Sequence, residues 1–370
     1  MSAARPSEGA RTAARQREGF SVTVARWRSP AAVWLVGGLL LAAALVWAAG
    51  SGAYAIPPRA LPGIVWAGLG GRDDGGTAAL VFNHIRLPRL LLGVATGVGL
   101  GVAGALMQGL FRNPLADPGL IGVSGGAALA AGVAIVLGAQ FWPGLPRTLG
   151  AWPLMLAAFG GGLLVTALIY LLAQTGGGTH VALMLLAGVA VNALASAGIG
   201  YLSYVATDEQ LRNLQFWLLG SLGGARWGAV LPVLAICGGV LAAGLAAARA
   251  LNALALGEAQ AVLLGVHVER LKHLCILAAA LAVGAVTAAA GVVGFIGLVA
   301  PHMVRLAFGP DHRLVVPGAA LLGAALVVAA DGLARTLVAP AELPLGVLTA
   351  TLGAPFFLVL LRGLRSRVPV

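Results

Sequence analysis

Long apolar runs separated by short polar turns follow one another along nearly the whole chain. Each run is about as long as the 20 residues that a helix needs to cross the hydrocarbon core of a bilayer. The runs do not alternate between apolar and polar residues, which disfavours the strands of a membrane barrel. We therefore predict an all-α polytopic membrane protein with ten transmembrane helices in a single domain, residues 31–364. The predicted spans are 31–50, 87–110, 119–138, 153–174, 182–205, 228–249, 271–290, 294–308, 315–335 and 345–362.

One division between spans is open. The sequence GVVG at 291–294 is compatible with either a bend inside one helix or a true turn between two helices. Counting a turn there gives an even number of spans, which places both chain ends on the same side of the membrane.

The two ends of the chain are predicted to be cytoplasmic tails. Residues 1–30 are polar and rich in arginine and show no small-residue cleavage site after a short apolar core, so we expect a disordered tail and no signal peptide. Residues 365–370 form the second tail. With both ends inside, most basic residues lie inside as well, as the positive-inside rule requires.

Composition supports the membrane prediction and excludes other classes. The chain of 370 residues is 59% hydrophobic and only 9% charged, whereas soluble domains carry about 25% charged residues. The net charge of +11 does not indicate nucleic acid as a partner, because the basic residues are scattered at the ends of apolar runs. Cys237 and Cys275 each lie inside an apolar run, which favours buried small side chains over a disulfide or a metal site.

Internal similarity predicts two structurally related halves. Residues 88–130 and residues 271–325 each read as an apolar helix, a polar turn with prolines, and a second apolar helix, a plan common in transporters. The second span also carries a stripe of small residues four apart, which predicts close helix packing and, as an alternative, a ligand path. The stripe consists of Gly93, Gly97, Gly101, Ala105 and Gly109.

The turn FRNPLADPG at 111–119 is polar and stiff. Its two prolines disfavour helix at the residues before them, and Asp117 with Pro118 fits the start of the third helix as an N-cap and first-turn pair. A structural turn is one interpretation. The other is a gate, in which Asn113 and Leu115 from each of two subunits close a pore at its cytoplasmic end.

Three arginines lie on the predicted outer side, against the orientation rule. Arg86 and Arg89 are three residues apart at the start of the second span, and Arg335 lies at the outer end of the ninth. Arg335 could form an i,i+4 ion pair with Asp331. The functional alternative is a patch of three arginines that meets acidic groups of an external partner.

The segment LNALALGEAQAVLLGV at 251–266 is longer than a turn between spans needs. We predict two short interfacial helices broken at Gly257, which form a docking surface for a cytoplasmic protein, with Glu258 as the polar contact.

Two features suggest other chemistry. His302, beside the helix-bending Pro301, could be a metal or haem ligand, although a single helical histidine more often bonds a backbone carbonyl. The sequence GVSG at 122–125 fits an intramembrane serine protease with Ser124 as nucleophile and His302 as base, but so short a pattern arises by chance in a glycine-rich chain. No GxxxxGK[ST] motif occurs, so we predict no ATP site and no enzymatic activity in this chain.

Together these stretches resemble one family, the permease subunits of bacterial ABC importers for cobalamin, haem and ferric siderophores. The resemblance covers about residues 31–364. The motifs that carry it are RLPRLL (86–91), GALMQGLFRNPLADPGLIGVSGGAAL (104–129), LNALALGE (251–258), GFIGLVAPHMVRL (294–306) and AELPLGVLTATLGAPFFLVLL (341–361).

The resemblance implies a homodimer in the bacterial inner membrane, with the translocation path on its two-fold axis. It implies two cytoplasmic ATPase subunits, which bind the ATP and magnesium, and a periplasmic binding protein that delivers the substrate; no cofactor is bound permanently to the permease. The block from Gln108 to Leu129 is most similar to the haem branch, so haem is the expected substrate, with ferric siderophore or cobalamin as the alternative. A secondary transporter and an intramembrane protease are the more distant alternatives.

The resemblance also assigns roles to residues. Arg86, Arg89 and Arg335 match the arginines that meet glutamates of the binding protein. The cytoplasmic gate matches Asn113 and Leu115 in one segment and His180, Val181 and Ala182 in another, where this chain reads GGGTHVA in place of small hydroxyl residues. The ATPase would dock on the coupling helices of 251–266, at Asn252, Leu254, Ala255, Leu256, Gly257 and Glu258.

Overall fold

The computed structural model describes residues 29–52, 54–69, 76–141, 144, 149–176, 178–338 and 341–365. The predicted N-terminal tail, up to residue 28, and the last five residues of the predicted C-terminal tail lie outside the described residues. The described α-helices are α1 (Pro30–Gly50), α2 (Leu61–Leu69), α3 (Thr77–Val81), α4 (Leu87–Leu110), α5 (Val123–Val136), α6 (Gly138–Phe141), α7 (Trp152–Leu172), α8 (Val181–Val205), α9 (Asp208–Leu219), α10 (Trp227–Leu254), α11 (Glu258–Leu263), α12 (Val268–Ala290), α13 (Ile296–Phe308), α14 (His312–Ala334) and α15 (Leu345–Arg365).

The ten predicted spans each coincide with one of these helices. Seven helices of the described chain are long and apolar enough to cross a membrane, with a π-helical turn at Phe82–Arg86 joining α3 to α4 in one of them. The other three, α5, α13 and α15, are apolar but have shorter apolar stretches. The all-α, polytopic architecture predicted from the apolar runs is confirmed.

The helix α5 is short because a separate turn takes up its predicted first residues. A 3-10 helix, Pro118–Ile121, precedes it, and the Asp117 side chain caps this turn by accepting a hydrogen bond of 2.7 Å from the Gly119 amide. Gly122 then adopts a left-handed conformation, with φ of 79°, which redirects the chain into α5. The predicted cap is thus present, but it belongs to the 3-10 turn.

The sequence GVVG forms a true turn. Gly291 has φ of 72°, and Phe295, directly before α13, has φ of 67°. A β-carbon at Gly291 would lie 2.3 Å from the Trp217 carbonyl oxygen. Both the positive φ and this close approach require glycine at that position, which is why α12 and α13 are separate helices.

The core surrounds α4. Most of α4, α12 and α14 is buried inside the chain, whereas α1, α7, α8 and α10 present most of their apolar surface outward. The small-residue stripe lies against α14: a β-carbon at Gly97 would be 2.3 Å from the Gly323 carbonyl, and one at Gly101 would be 2.2 Å from that of Ala319. Close helix packing, the first interpretation of the stripe, is confirmed.

The segment 251–266 differs from its prediction. We expected two short helices broken at Gly257, but the first is the end of α10, which continues to Leu254 because Leu251 and Leu254 are buried in the core. The break at Gly257 is real, with φ of 123°. One short helix, α11, follows it.

Candidate functional site

The single lysine of the chain, Lys272, lies near the start of α12 and joins three separate elements. Its Nζ donates hydrogen bonds to Glu258 Oε2 of α11 at 3.0 Å, to Glu269 Oε1 at 2.9 Å and to the Thr179 carbonyl oxygen at 3.0 Å. The Lys272 side chain is only 4% exposed, while those of Glu258 and Glu269 are 47% and 41% exposed. We call Lys272, Glu258, Glu269 and Thr179 the lysine cluster.

Thr179 belongs to a small antiparallel hairpin, β1 (Gln174–Thr175) and β2 (Gly178–Thr179). Glu269 Oε2 accepts hydrogen bonds from the Thr179 amide at 3.1 Å and from its hydroxyl at 2.9 Å. Gly178 has φ of 123°, and a β-carbon there would lie 2.8 Å from Glu269 Oε1. The run of glycines in GGGTHVA therefore includes one that lets the hairpin lie directly on this carboxylate.

The predicted second gate segment follows the hairpin at once. His180 is the N-cap residue of α8 and is exposed, and α8 begins at Val181. Ala182 is exposed in the first turn of the same helix. The position of these three residues is thus set by the hairpin and, through Thr179, by the lysine cluster.

A cavity of about 280 Å³ brings the predicted gate and docking segments together. It is lined by the end of α4 and the start of the turn 111–119, by the end of the hairpin with His180 and Val181, and by the three charged side chains of the lysine cluster. Asn113 and Leu115 are outside this lining. They form a local turn in which the Leu115 amide donates to Asn113 Oδ1 at 3.0 Å, and Asn113 is exposed.

The predicted ATPase-docking residues divide into two groups. Asn252 and Leu254 face inward: Asn252 Nδ2 donates to Asp311 Oδ1 at 2.6 Å, its Oδ1 accepts from the His312 amide at 2.9 Å, and Leu254 is buried. Asp311 has a pKa below its usual range; burial opposes this shift, and the hydrogen bonds from the Arg313 amide and Asn252 outweigh it. Ala255 and Leu256, in the turn after α10, and Glu258, at the start of α11, are exposed, whereas Gly257 is half-buried.

The most exposed apolar residues of this segment were not predicted from the sequence. Val262, Leu263 and Leu264 are 59%, 86% and 63% exposed at the end of α11. They follow the break at Gly257, and the helix α11 is too short for its sequence to show a clear hydrophobic periodicity. Large apolar side chains left this exposed next to a charged cluster are typical of an interaction surface.

At the other end of α4 lies the arginine cluster, which we define as Arg86, Arg89, Arg335, Asp331 and Glu342. Arg89 pairs with Asp331 at 2.9 Å and, through both terminal nitrogens, with Glu342 at 2.9 Å. Arg335 pairs with Asp331 at 3.2 Å, so the predicted i,i+4 ion pair is confirmed. Asp331, with a side chain only 4% exposed, therefore lies between two guanidinium groups.

The remaining contacts of the arginines are to backbone carbonyls. Arg86 donates to those of Ala49 and Tyr54, and Arg335 to those of Ser51 and Ala48. Arg86 and Arg89 are buried in this chain. The structure thus brings the three predicted docking arginines together, but with internal partners.

Glu342 is a member of the arginine cluster that the sequence analysis missed. Its side chain is 45% exposed. The hydrogen bonds from Arg89 lower its pKa below the ordinary value of 4.5, and burial only partly opposes them. The signal in the sequence was an acidic residue at a span end, within ten residues of Arg335, but nothing in that spacing identifies Arg89 as its partner.

The protease arrangement does not form. In the part of the chain that the structure describes, neither ring nitrogen of His302 has Ser124 as a hydrogen-bond partner. Cys237 and Cys275 are both buried free thiols, as predicted.

Comparison with known proteins identifies relatives along most of the chain. The sequence profile of the FecCD transport family matches residues 39–363. The hemin transport system permease protein HmuU of Yersinia pestis is 49% identical over 287 residues, which cover 78% of this chain and 84% of that protein. The cobalamin import system permease protein BtuC of Halobacterium salinarum is 44% identical over 289 residues, 77% of this chain and 74% of that protein.

A solved structure has the same fold. It is a metal-chelate type ABC transporter in an inward-facing conformation, with a TM-score of 0.78 and 30% sequence identity. The superposition covers 90% of this chain and 100% of that one.

Proposed function

Because the chain belongs to the FecCD transport family and is thereby a permease subunit of an ABC importer, we propose that its substrate is haem. The observation that carries this choice is the 49% identity to a hemin permease, against 44% and 43% for cobalamin permeases over nearly the same length. Ferric siderophore and cobalamin remain the alternatives of the same class.

The proposed assembly is a homodimer of this chain in the inner membrane, with both chain ends cytoplasmic, two ATPase subunits and a periplasmic binding protein. ATP and magnesium bind to the ATPases, and the permease holds no cofactor of its own. The exposed apolar residues of α11 support docking of the ATPases on 251–266, because such residues need a partner surface.

Transport then proceeds by alternating access. ATP binds one conformation of the ATPase pair more tightly than the other. This difference in affinity shifts the permease between a state in which the translocation path is open at one end and a state in which it is open at the other. The gate at the cytoplasmic end consists of Asn113 and Leu115 in one segment and of His180, Val181 and Ala182 in the other. The support for this gate is the cavity that brings Arg112, the neighbour of Asn113, together with His180, Val181 and Glu258.

On the periplasmic side, we assign docking of the binding protein to the arginine cluster. The Arg89 side chain is only 10% exposed, but its partner Glu342 is 45% exposed, so the cluster reaches the surface at this edge. Arg335 and Arg86 add positive charge next to it. Their charge would attract an acidic partner even though their side chains are largely internal.

Uptake into proteoliposomes tests the substrate. Liposomes that hold this chain, its ATPase and its binding protein would be given haem or cobalamin, each with and without ATP. We expect haem to accumulate only with ATP. ATP-dependent accumulation of cobalamin without haem would contradict the choice of haem, and accumulation of haem without ATP would contradict the ABC mechanism.

A further inference from the structure

Lys272 connects the segment proposed to dock the ATPase with the segment proposed to form the gate. We propose that Lys272 is the positioning residue that transmits displacement of α11 to the hairpin of β1 and β2 and so to His180, Val181 and Ala182. This inference rests on the proposed function only for the roles of the two segments that it joins.

All three donors of the lysine are in use. An ammonium group has three N–H donors, and those of Lys272 go to three different residues: Glu258 on α11, Glu269 on its own helix, and Thr179 on the hairpin. The side chain is only 4% exposed, so its donors depend mainly on these protein partners. A displacement of Glu258 would therefore draw the ammonium along with it or leave a buried donor unpaired.

The hairpin is bound at Thr179, through its carbonyl oxygen on one side and through its amide and hydroxyl on the other. Lys272 binds the Thr179 carbonyl, while Glu269 binds the Thr179 amide and hydroxyl. The cation and the carboxylate thus hold the backbone of Thr179 as one unit. Because His180 follows directly, a shift of this unit moves the start of α8.

On the other side, α11 is suited to move. It has six residues, follows the hinge at Gly257, and is anchored inward by Ala261, while Val262 and Leu263 are exposed. A partner that binds these exposed residues would act on Glu258, which lies at the first position of the same short helix. Lys272 connects that helix directly to the hairpin through its hydrogen bonds to Glu258 and to the Thr179 carbonyl.

The test uses the complete complex in proteoliposomes, with Ala182→Cys as a reporter labelled by a water-soluble maleimide. The two native cysteines of this chain are buried, and the same complex without Ala182→Cys gives the background labelling. Labelling rate is measured with and without ATP in four backgrounds: native Lys272, Lys272→Met, Lys272→Arg, and the control Arg270→Met. Arg270 is exposed on the same helix, so the control removes a positive charge two residues away.

We expect ATP to change the labelling rate with Lys272 and with the control, and the change to be lost in Lys272→Met. Haem uptake per ATP hydrolysed should fall roughly tenfold in that variant, while ATP hydrolysis stays within about twofold. Lys272→Arg, which keeps the charge, should recover most of both. A role in folding alone would lower hydrolysis and co-purification of the ATPase in proportion to uptake.

The proposal is overturned if Lys272→Met keeps the ATP-dependent labelling, if the arginine variant behaves like the methionine variant, or if the ATPase no longer co-purifies. It is also overturned if ATP leaves labelling unchanged with Lys272 present. Since labelling needs no transported substrate, a failure of haem as the substrate would not affect this result and is recognised separately by uptake.

Discussion

The arginine cluster and the lysine cluster lie at opposite ends of α4, about 30 Å apart along the helix, and they are built differently. The arginine cluster joins long helices of the core, and its central anion, Asp331, is only 4% exposed. In the lysine cluster the cation is buried, but both carboxylates are more than 40% exposed. Removing Asp331 leaves Arg89 with Glu342 but takes from the buried Arg335 the carboxylate with which it pairs. Removing either acid of the lysine cluster leaves Lys272 with a second carboxylate.

This difference indicates that the two clusters have different roles. The arginine cluster stabilises the packed part of the bundle. The lysine cluster links a short helix and a hairpin, which have few buried contacts, and elements of that kind are drawn from the less stable part of a structure. Stability should therefore depend on the first cluster, and transmission of movement on the second.

The largest expected effect comes from matched acid-to-amide substitutions in the two clusters. Asp331→Asn should lower the free energy of unfolding by about 3 kcal/mol, because Arg89 and Arg335 lose their shared buried anion. Glu258→Gln should cost less than about 1 kcal/mol, because Glu258 is half exposed and Lys272 keeps Glu269. Unfolding in mixed detergent micelles, followed by tryptophan fluorescence, measures both.

Equal losses of unfolding free energy in Asp331→Asn and Glu258→Gln would contradict the expected difference in stability between the arginine cluster and the lysine cluster. As a control, Arg59→Ala changes a charge at an exposed position and should leave unfolding unchanged. A loss in Glu258→Gln larger than in Asp331→Asn would show that the lysine cluster is the structural one.

A smaller effect is expected from the helix contact that supports the arginine cluster. In Gly97→Ala the new methyl group would meet the carbonyl of Gly323 at 2.3 Å, so α4 and α14 must separate, at a cost of about 1–3 kcal/mol. Gly238 in α10 has open space around its β-position and is exposed. Gly238→Ala should be neutral or stabilise by up to about 1 kcal/mol through helix propensity.

These two glycines also provide a check on the position of the rigid part of the bundle. Unfolding is measured as before. If Gly97→Ala were tolerated as well as Gly238→Ala, α4 and α14 would be able to separate at little cost, and the rigid character of the arginine end would have to be abandoned.

Much of the fold follows from sequence because membrane spans are set by local composition. Each of the ten apolar runs became a helix, and the glycine stripe predicted the contact between α4 and α14. The end of α10 was predicted wrongly, since the burial of Leu251 and Leu254 depends on other helices, which residue order alone does not reveal. The local cap at Asp117 was found, but not the 3-10 turn it begins.

The candidate site was predicted only in part, for a related reason. The sequence motifs singled out the arginines, the gate segments and Glu258, but the residues that form hydrogen bonds and ion pairs with them come from distant parts of the chain. Arg89 and Glu342 are 253 residues apart, and Lys272 and the Thr179 carbonyl are 93 apart. No spacing rule connects such pairs. A single lysine within 23 basic residues was visible in the sequence, but its role required the three-dimensional contacts.

The smallest expected effect is a pH dependence at the exposed edge of the arginine cluster, the Arg89–Glu342 pair. Hydrogen bonds from Arg89 hold the pKa of Glu342 below 4.5 in the folded chain. A carboxyl group with a lowered pKa adds stability above its unfolded pKa and loses that contribution as the pH falls through the folded value.

The Glu342 side chain is 45% exposed, so its contribution to the unfolding free energy should stay below about 1 kcal/mol. We therefore expect the difference in unfolding free energy between the native chain and Glu342→Gln to be present near neutral pH and to be lost as the pH falls through the lowered folded-state pKa of Glu342. A difference that persisted unchanged at low pH would mean that Glu342 acts through packing and not through its charge, and the edge of the arginine cluster would then resemble its buried centre more than the half-exposed acids around Lys272.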